Sequence, residues 1–100
     1  MVASITYREL EKLVSWTRST SRRIRIYLEG YRYLISIGRY IRAEDLSGRE
    51  VSWRTAFGLR PPHDVISSFK IRRIVVEEEG ISREFTSMNE LLEYAGIKGS

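Results

Sequence analysis

From Arg22 onward the chain alternates, with Ile24, Ile26 and Leu28 standing between Arg23, Arg25 and Tyr27. A period of two sends successive side chains to opposite faces, so this segment reads as a half-buried β-strand with an oily side and a guanidinium and phenol side. Glu29 and Gly30 follow as a two-residue hairpin turn, in which Gly supplies a positive backbone angle. With that turn Leu28 faces Tyr31, Ile26 faces Tyr33 and Ile24 faces Ile35. The opposite face then carries Arg23, Arg25 and Tyr27 from one strand and Arg32, Leu34 and Ser36 from the next, with Tyr27 across from Arg32 and Arg25 across from Leu34. A slip of one residue would mix the two sets, so the hydrophobic pattern fixes which side turns inward.

The flanking segments complete an α+β domain. Thr6 and Glu9 have capping-box spacing, with Ile5 and Leu10 as a hydrophobic staple, and Tyr7, Leu10, Leu13 and Val14 form a helical stripe. The polar run from Ser15 to Ser21 is expected to end that helix. Gly38 marks a bend, after which Arg39 to Glu44 continues the ribbon, and Asp45 to Gly48 is a turn. Val51, Trp53, Thr55 and Phe57 alternate with polar or small residues and predict a third strand. Gly58 to Asp64, with Pro61 and Pro62, is a loop. Strands near Phe69 to Glu78 and Ile81 to Thr86 meet at the Glu79 and Gly80 turn, and Ser87 and Glu90 cap a short last helix that Gly96 stops. The expected fold is an antiparallel sheet of four to five strands with an N-terminal helix and a short C-terminal helix, all in one domain over residues 1–100.

Composition narrows the function. Cys is absent and His63 is the single histidine, which excludes disulfides, thiol chemistry and cysteine-built metal sites and leaves no histidine cluster. No cofactor or metal is expected. The longest unbroken aliphatic run, Ile74 to Val76, is too short to span a bilayer. Met1 to Leu10 has neither a basic leader nor a long apolar stretch, so a cytoplasmic protein is expected. Of the 17 basic residues 14 are Arg, while Gln is absent and Asn occurs once, the depletion of labile amides expected of a hyperthermophile.

Charge placement is more informative than the net charge of +4. Between Arg18 and Arg42 seven arginines face one acid, Glu29, whereas from Glu77 to Glu93 six glutamates face Arg83 alone. The basic segment suits a polyanion, and the acidic one would repel it. Guanidinium groups pair with phosphates and aromatic rings stack on unpaired bases, at roughly 1 to 3 kcal/mol per base. The expected nucleic-acid surface therefore comprises Arg22, Arg23, Arg25, Tyr27, Arg32, Arg39 and Arg42, extended by Trp53 and Arg54 if the third strand lies beside the second. Trp53 and Phe57 serve equally well as core, and Trp16 fits helix packing better than the binding surface.

With its thermophilic composition, flanking helix, antiparallel sheet and Arg and Tyr surface from Arg22 to Arg42, the chain is similar to the ThermoDBP group of archaeal single-stranded nucleic-acid-binding proteins. The likeness lies in the order of elements and transfers no individual site residue. It implies binding of exposed bases in a basic, apolar-lined cleft, no catalysis, and self-association into a homo-oligomer.

A non-catalytic binder of single-stranded DNA or RNA is thus the first expectation. The alternative is an assembly module, in which the basic segment of one copy pairs with the acidic segment of another; the same segments can also pair inside one chain. Catalysis has least support, since His63 and Asp64 are adjacent but lack an evident nucleophile, and Ser67 and Ser68 lack an identifiable oxyanion hole. Glu77, Glu78 and Glu79 alternate faces on a strand and cannot converge on one cation. The glycines stand too far apart for a phosphate-cradling loop.

Overall fold

A computed structural model describes residues 5–98, so the expectation for Met1 to Leu10 lies partly outside the described residues. The first helix, α1 (Tyr7–Thr20), begins at the capping box: Thr6 Oγ1 accepts from the Glu9 amide and Glu9 Oε1 from the Thr6 amide, both at 3.0 Å. It runs through the polar stretch that was expected to break it. Thr17 is buried there, and its hydroxyl donates to the carbonyls of Val14 at 2.7 Å and Gly38 at 3.0 Å, so a polar residue packs without losing its hydrogen bonds. Ser21 ends the helix in the left-handed region, with φ of 54°.

Six strands follow, all paired antiparallel: β1 (Arg23–Leu28), β2 (Tyr33–Ile37), β3 (Ile41–Asp45), β4 (Glu50–Val51), β5 (Ile71–Glu78) and β6 (Ile81–Phe85). Their order is β4-β3-β2-β1-β5-β6. The first four form a meander, and the chain then crosses back through α2 (Trp53–Phe57) and α3 (Pro62–Ser68) to lay β5 beside β1. The last helix, α4 (Met88–Tyr94), starts at the expected Ser87 cap. Where one ribbon was expected to continue past Gly38, the chain reverses and makes β3 a separate strand. That reversal adds a strand, and the expected strand at Val51 to Phe57 shrinks to β4, which gives six strands rather than four to five.

The β1 and β2 hairpin differs from expectation by two residues. Leu34, not Arg32, lies opposite Tyr27, and Ile35 lies opposite Ile26. Tyr31 is drawn from the strand into the core, where its ring meets Phe69 at 4.9 Å and Phe57 at 5.6 Å and its hydroxyl donates to the Ala56 carbonyl. The connection lengthens accordingly. A shift of two conserves the faces, so Ile24, Ile26, Leu28, Ile35 and Ile37 remain inward and Arg25, Tyr27, Leu34 and Ser36 outward.

A larger correction concerns residues 51–57. Trp53, Ala56 and Phe57 satisfy helical spacing as well as Val51, Trp53 and Thr55 satisfy strand spacing, and Ser52 decides between them by accepting the Thr55 amide at 3.1 Å as an N-cap. The expected loop over Gly58 to Asp64 likewise ends early, because Pro62 opens α3 with a backbone angle already suited to a helix. All four helices contribute buried side chains to one cluster: Leu10 and Leu13, Ala56 and Phe57, Val65 and Ile66, Leu91 and Leu92, against the inward residues of β1, β2, β3 and β5. Each fully buried Leu or Ile contributes roughly 1.5 to 3 kcal/mol of burial. The helices share one side of the sheet, and the arginine-bearing side faces outward.

Candidate functional site

On the outward face, Arg25 on β1 reaches acids on both flanks. Its Nη1 pairs with Glu77 on β5, and its Nε lies 3.3 Å from Glu44 Oε1 on β3. Glu44 also lies 3.8 Å from Arg42 Nε, and Arg42 Nη1 is 3.4 Å from Glu50 on β4. Leu34 and Ser36, the β2 residues between these strands, are each 1% exposed. The face is a row of alternating charges borne by four strands and spanning five, with β2 between them. Arg25, bracketed by two carboxylates, is already neutralised, and a phosphate there would have to displace a carboxylate. Tyr27 is half-buried, with the Arg73 guanidinium 4.5 Å from its ring centroid, so a base would have to displace that cation from the ring.

A different arrangement forms where α1 ends, β1 begins and the β2 to β3 turn comes alongside. Arg18, Arg22, Arg23, Arg39 and Arg42 line one open cleft of about 570 Å³ together with Thr17, Ser21, Gly38 and Tyr40. Among the described residues no acidic one lines it. Local structure explains the convergence: Thr17 Oγ1 ties the last turn of α1 to Gly38, Arg18 Nε donates to the Arg39 carbonyl at 3.0 Å, and the period of two turns Arg23 and Arg42 outward. Arg22 pairs with Glu78 at 2.7 Å and lies 4.7 Å above the Trp16 ring. Arg18, Arg23 and Arg39 have no carboxylate partner among the described residues. The carbonyl end of α1 contributes roughly half a negative charge nearby, too little to offset three guanidinium groups that lack a carboxylate partner. Tyr40 is 65% exposed at the rim, with its ring open to solvent.

The expected surface therefore divides. Arg22, Arg23, Arg39 and Arg42 meet in the cleft, while Arg25 and Tyr27 lie in the ion-paired row of the open face. Arg32 is exposed in the loop before β2, at the other end of the hairpin from Arg23 and Arg39. Trp53 and Arg54 are in α2, not on a strand beside β2. The indole of Trp53 packs 4.6 Å from Phe57 and donates to the Arg60 carbonyl at 2.7 Å, which makes it part of the core layer and removes it from the basic surface. Arg18 and Tyr40 belong to the cleft although neither stood in the expected surface. Their signals were present, as the last turn of a capped helix and as the residues after Gly38, but only the fold brings them together.

Intrachain ion pairs join the basic and acidic segments, through Arg22 with Glu78 and Arg25 with Glu77. Glu78 also lies 3.3 Å from Arg83 and accepts from the Tyr94 hydroxyl at 2.6 Å. That hydroxyl first, and then Arg22, hold its carboxyl below the usual range. Asp64 accepts from Arg60 Nε at 2.9 Å, while Ser67 Oγ accepts from the Ile5 amide at 3.2 Å. Among the described residues no three His, Asp or Glu side chains cluster as metal ligands, and no helix is long and apolar enough to cross a membrane. No protein-family model, curated protein or solved structure matches this chain.

Proposed function

We propose that this protein binds single-stranded DNA or RNA without transforming it, through the arginine cleft at the end of the sheet. The observation that carries this reading is the meeting, among the described residues, of three arginines without carboxylate partners in a cleft that has no acidic lining. Guanidinium groups bind phosphate oxygens by paired, charge-assisted hydrogen bonds, and their number favours a polyanion over a lone carboxylate ligand. Tyr40 at the rim offers a ring on which an unpaired base can stack, which a duplex would keep sequestered. A hyperthermophilic archaeal source and a cytoplasmic setting agree with the amide-poor, arginine-rich composition. They agree also with the similarity to the ThermoDBP group, which implies the same class of ligand.

Pairing of basic and acidic segments between subunits has less to draw on, because Glu77 and Glu78 are already engaged by Arg25 and Arg22 of their own chain. The test is fluorescence anisotropy at low salt with labelled single- and double-stranded oligonucleotides. The single strand is expected to bind more tightly, and Arg18→Ala combined with Arg39→Ala to weaken it at least about tenfold, since two contacts reach that factor at only about 0.7 kcal/mol each. Absence of binding, or full affinity in the double variant, overturns the proposal.

A further inference from the structure

Next to the arginine cleft, a second groove of about 280 Å³ runs along the outer stripe of α1, between the start of β3 and the start of α3. Arg18 lines both depressions, so the two adjoin at its side chain. The walls differ in kind. Val14, Ile41 and Pro62 supply apolar surface over the buried Leu10, and Tyr7 and His63 add their rings, edge to face at 5.7 Å. Tyr7 is 61% exposed, and His63 Nδ1 makes no hydrogen bond within the described residues. Glu11 and Ser15 stand on the same stripe, and Glu11 has no ion-pair partner among the described residues.

We infer that this groove is a nucleobase subsite selective for bases that carry an exocyclic amine. The inference rests on the cleft being the phosphate site. A flat heterocycle is the part of a nucleic acid that gains from an apolar wall flanked by aromatic rings, and Arg18 at the shared rim leads the backbone there. A carboxylate only accepts hydrogen bonds, and cytosine, adenine and guanine each offer it an exocyclic amine, whereas the one donor of thymine, its N3–H, sits between two carbonyl oxygens that the carboxylate repels, so Glu11 favours the amine-bearing bases.

Three strands of equal length separate the possibilities: oligo(dC), oligo(dT) and an abasic deoxyribose-phosphate chain. The parent protein is expected to bind oligo(dC) about tenfold more tightly than the abasic strand and severalfold more tightly than oligo(dT). Glu11→Gln, an exposed substitution that leaves the helix intact, is expected to bring oligo(dC) and oligo(dT) within about twofold of each other, because an amide serves either base, while the lost negative charge raises the affinity of the abasic strand slightly. Tyr7→Ala should weaken both base-bearing strands and spare the abasic one. Equal binding of abasic and base-bearing strands overturns the subsite and leaves the cleft standing. An unchanged preference in Glu11→Gln overturns the role of Glu11. Failure of all three strands to bind removes the cleft as well.

Discussion

Replacing Glu44 with Gln separates the contribution of a buried charge from that of an exposed one bound to the same partner. Glu44 is 2% exposed on the outward face and serves both Arg25 at 3.3 Å and Arg42 at 3.8 Å. Gln keeps the shape and one carbonyl acceptor but loses the charge. The amide carbonyl still accepts from a charged guanidinium, so the exchange removes only the ionic part of the pair, roughly 1 to 1.5 kcal/mol out of the about 1.5 to 3 kcal/mol of a charge-assisted contact. The lower cost of burying an amide returns part of that, and water reaches both arginines, whose side chains are 24% and 35% exposed. A net loss of about 1 kcal/mol is expected, equivalent to a fall in Tm of about 4 to 8 °C for a domain of this size. Glu50 pairs with the same Arg42 at 3.4 Å but is 62% exposed, and Glu50→Gln should cost no more than about 0.5 kcal/mol. Urea unfolding of the two variants beside the parent, at constant m, measures the contrast. A Glu44→Gln protein as stable as Glu50→Gln would refute the reasoning. The exchange also removes a negative charge beside the cleft, so single-strand affinity should rise while stability falls.

Thr17→Val keeps the volume of a buried residue but deletes its hydrogen bonds to Val14 and Gly38; denaturant unfolding should show a loss of about 1 to 2 kcal/mol, and single-strand binding should weaken as the cleft floor loosens. Gly80, at φ +81° in the β5 to β6 turn, is expected to lose about 1 to 2 kcal/mol on change to Ala, read as a thermal midpoint shift, because a Cβ is strained there even though the space is open. Acid should destabilise the fold through groups whose carboxyls lie below their usual values: Glu9, held by the Thr6 amide, and Glu90, held by the Thr86 hydroxyl and then its amide. A lowered folded-state pKa gives stability that is present above the unfolded value, about 4.3 for Glu, and lost as pH falls through the folded one. Glu9→Gln with Glu90→Gln should flatten the stability profile below about pH 4, and an unchanged acid slope would contradict the assignment.

What could be read from residues alone depended on the range of the interaction. The Thr6 and Glu9 box and the alternation of β1 are local, and both appear as expected. The hairpin register slipped by two because Tyr31 is claimed by Phe57 and Phe69, partners more than twenty residues away; the faces survived because two is the period of a strand. Residues 51–57 fit both periods, so alternation alone puts Trp53 on a strand, and the capping role of Ser52 is the signal that separates the two. The neutralisation of Arg25 was hidden for a different reason. Glu44 and Glu77 lie on strands whose pairing with β1 and β2 no short-range pattern specifies. The cleft depends likewise on a helix end meeting a turn, so four of its five arginines were named as candidates but their meeting place, with Arg18 and Tyr40, was not.

The dependence of single-strand affinity on salt tests the central claim most directly. Each neutralised phosphate of a single strand lowers the slope of log affinity against log salt by about 0.7, so three unpaired arginines give about −2 and all five about −3.5. The account predicts a slope in that interval for the parent and a slope shallower by about 0.7 for Arg39→Ala. A flat response, or a slope that Arg39→Ala leaves unchanged, would contradict it.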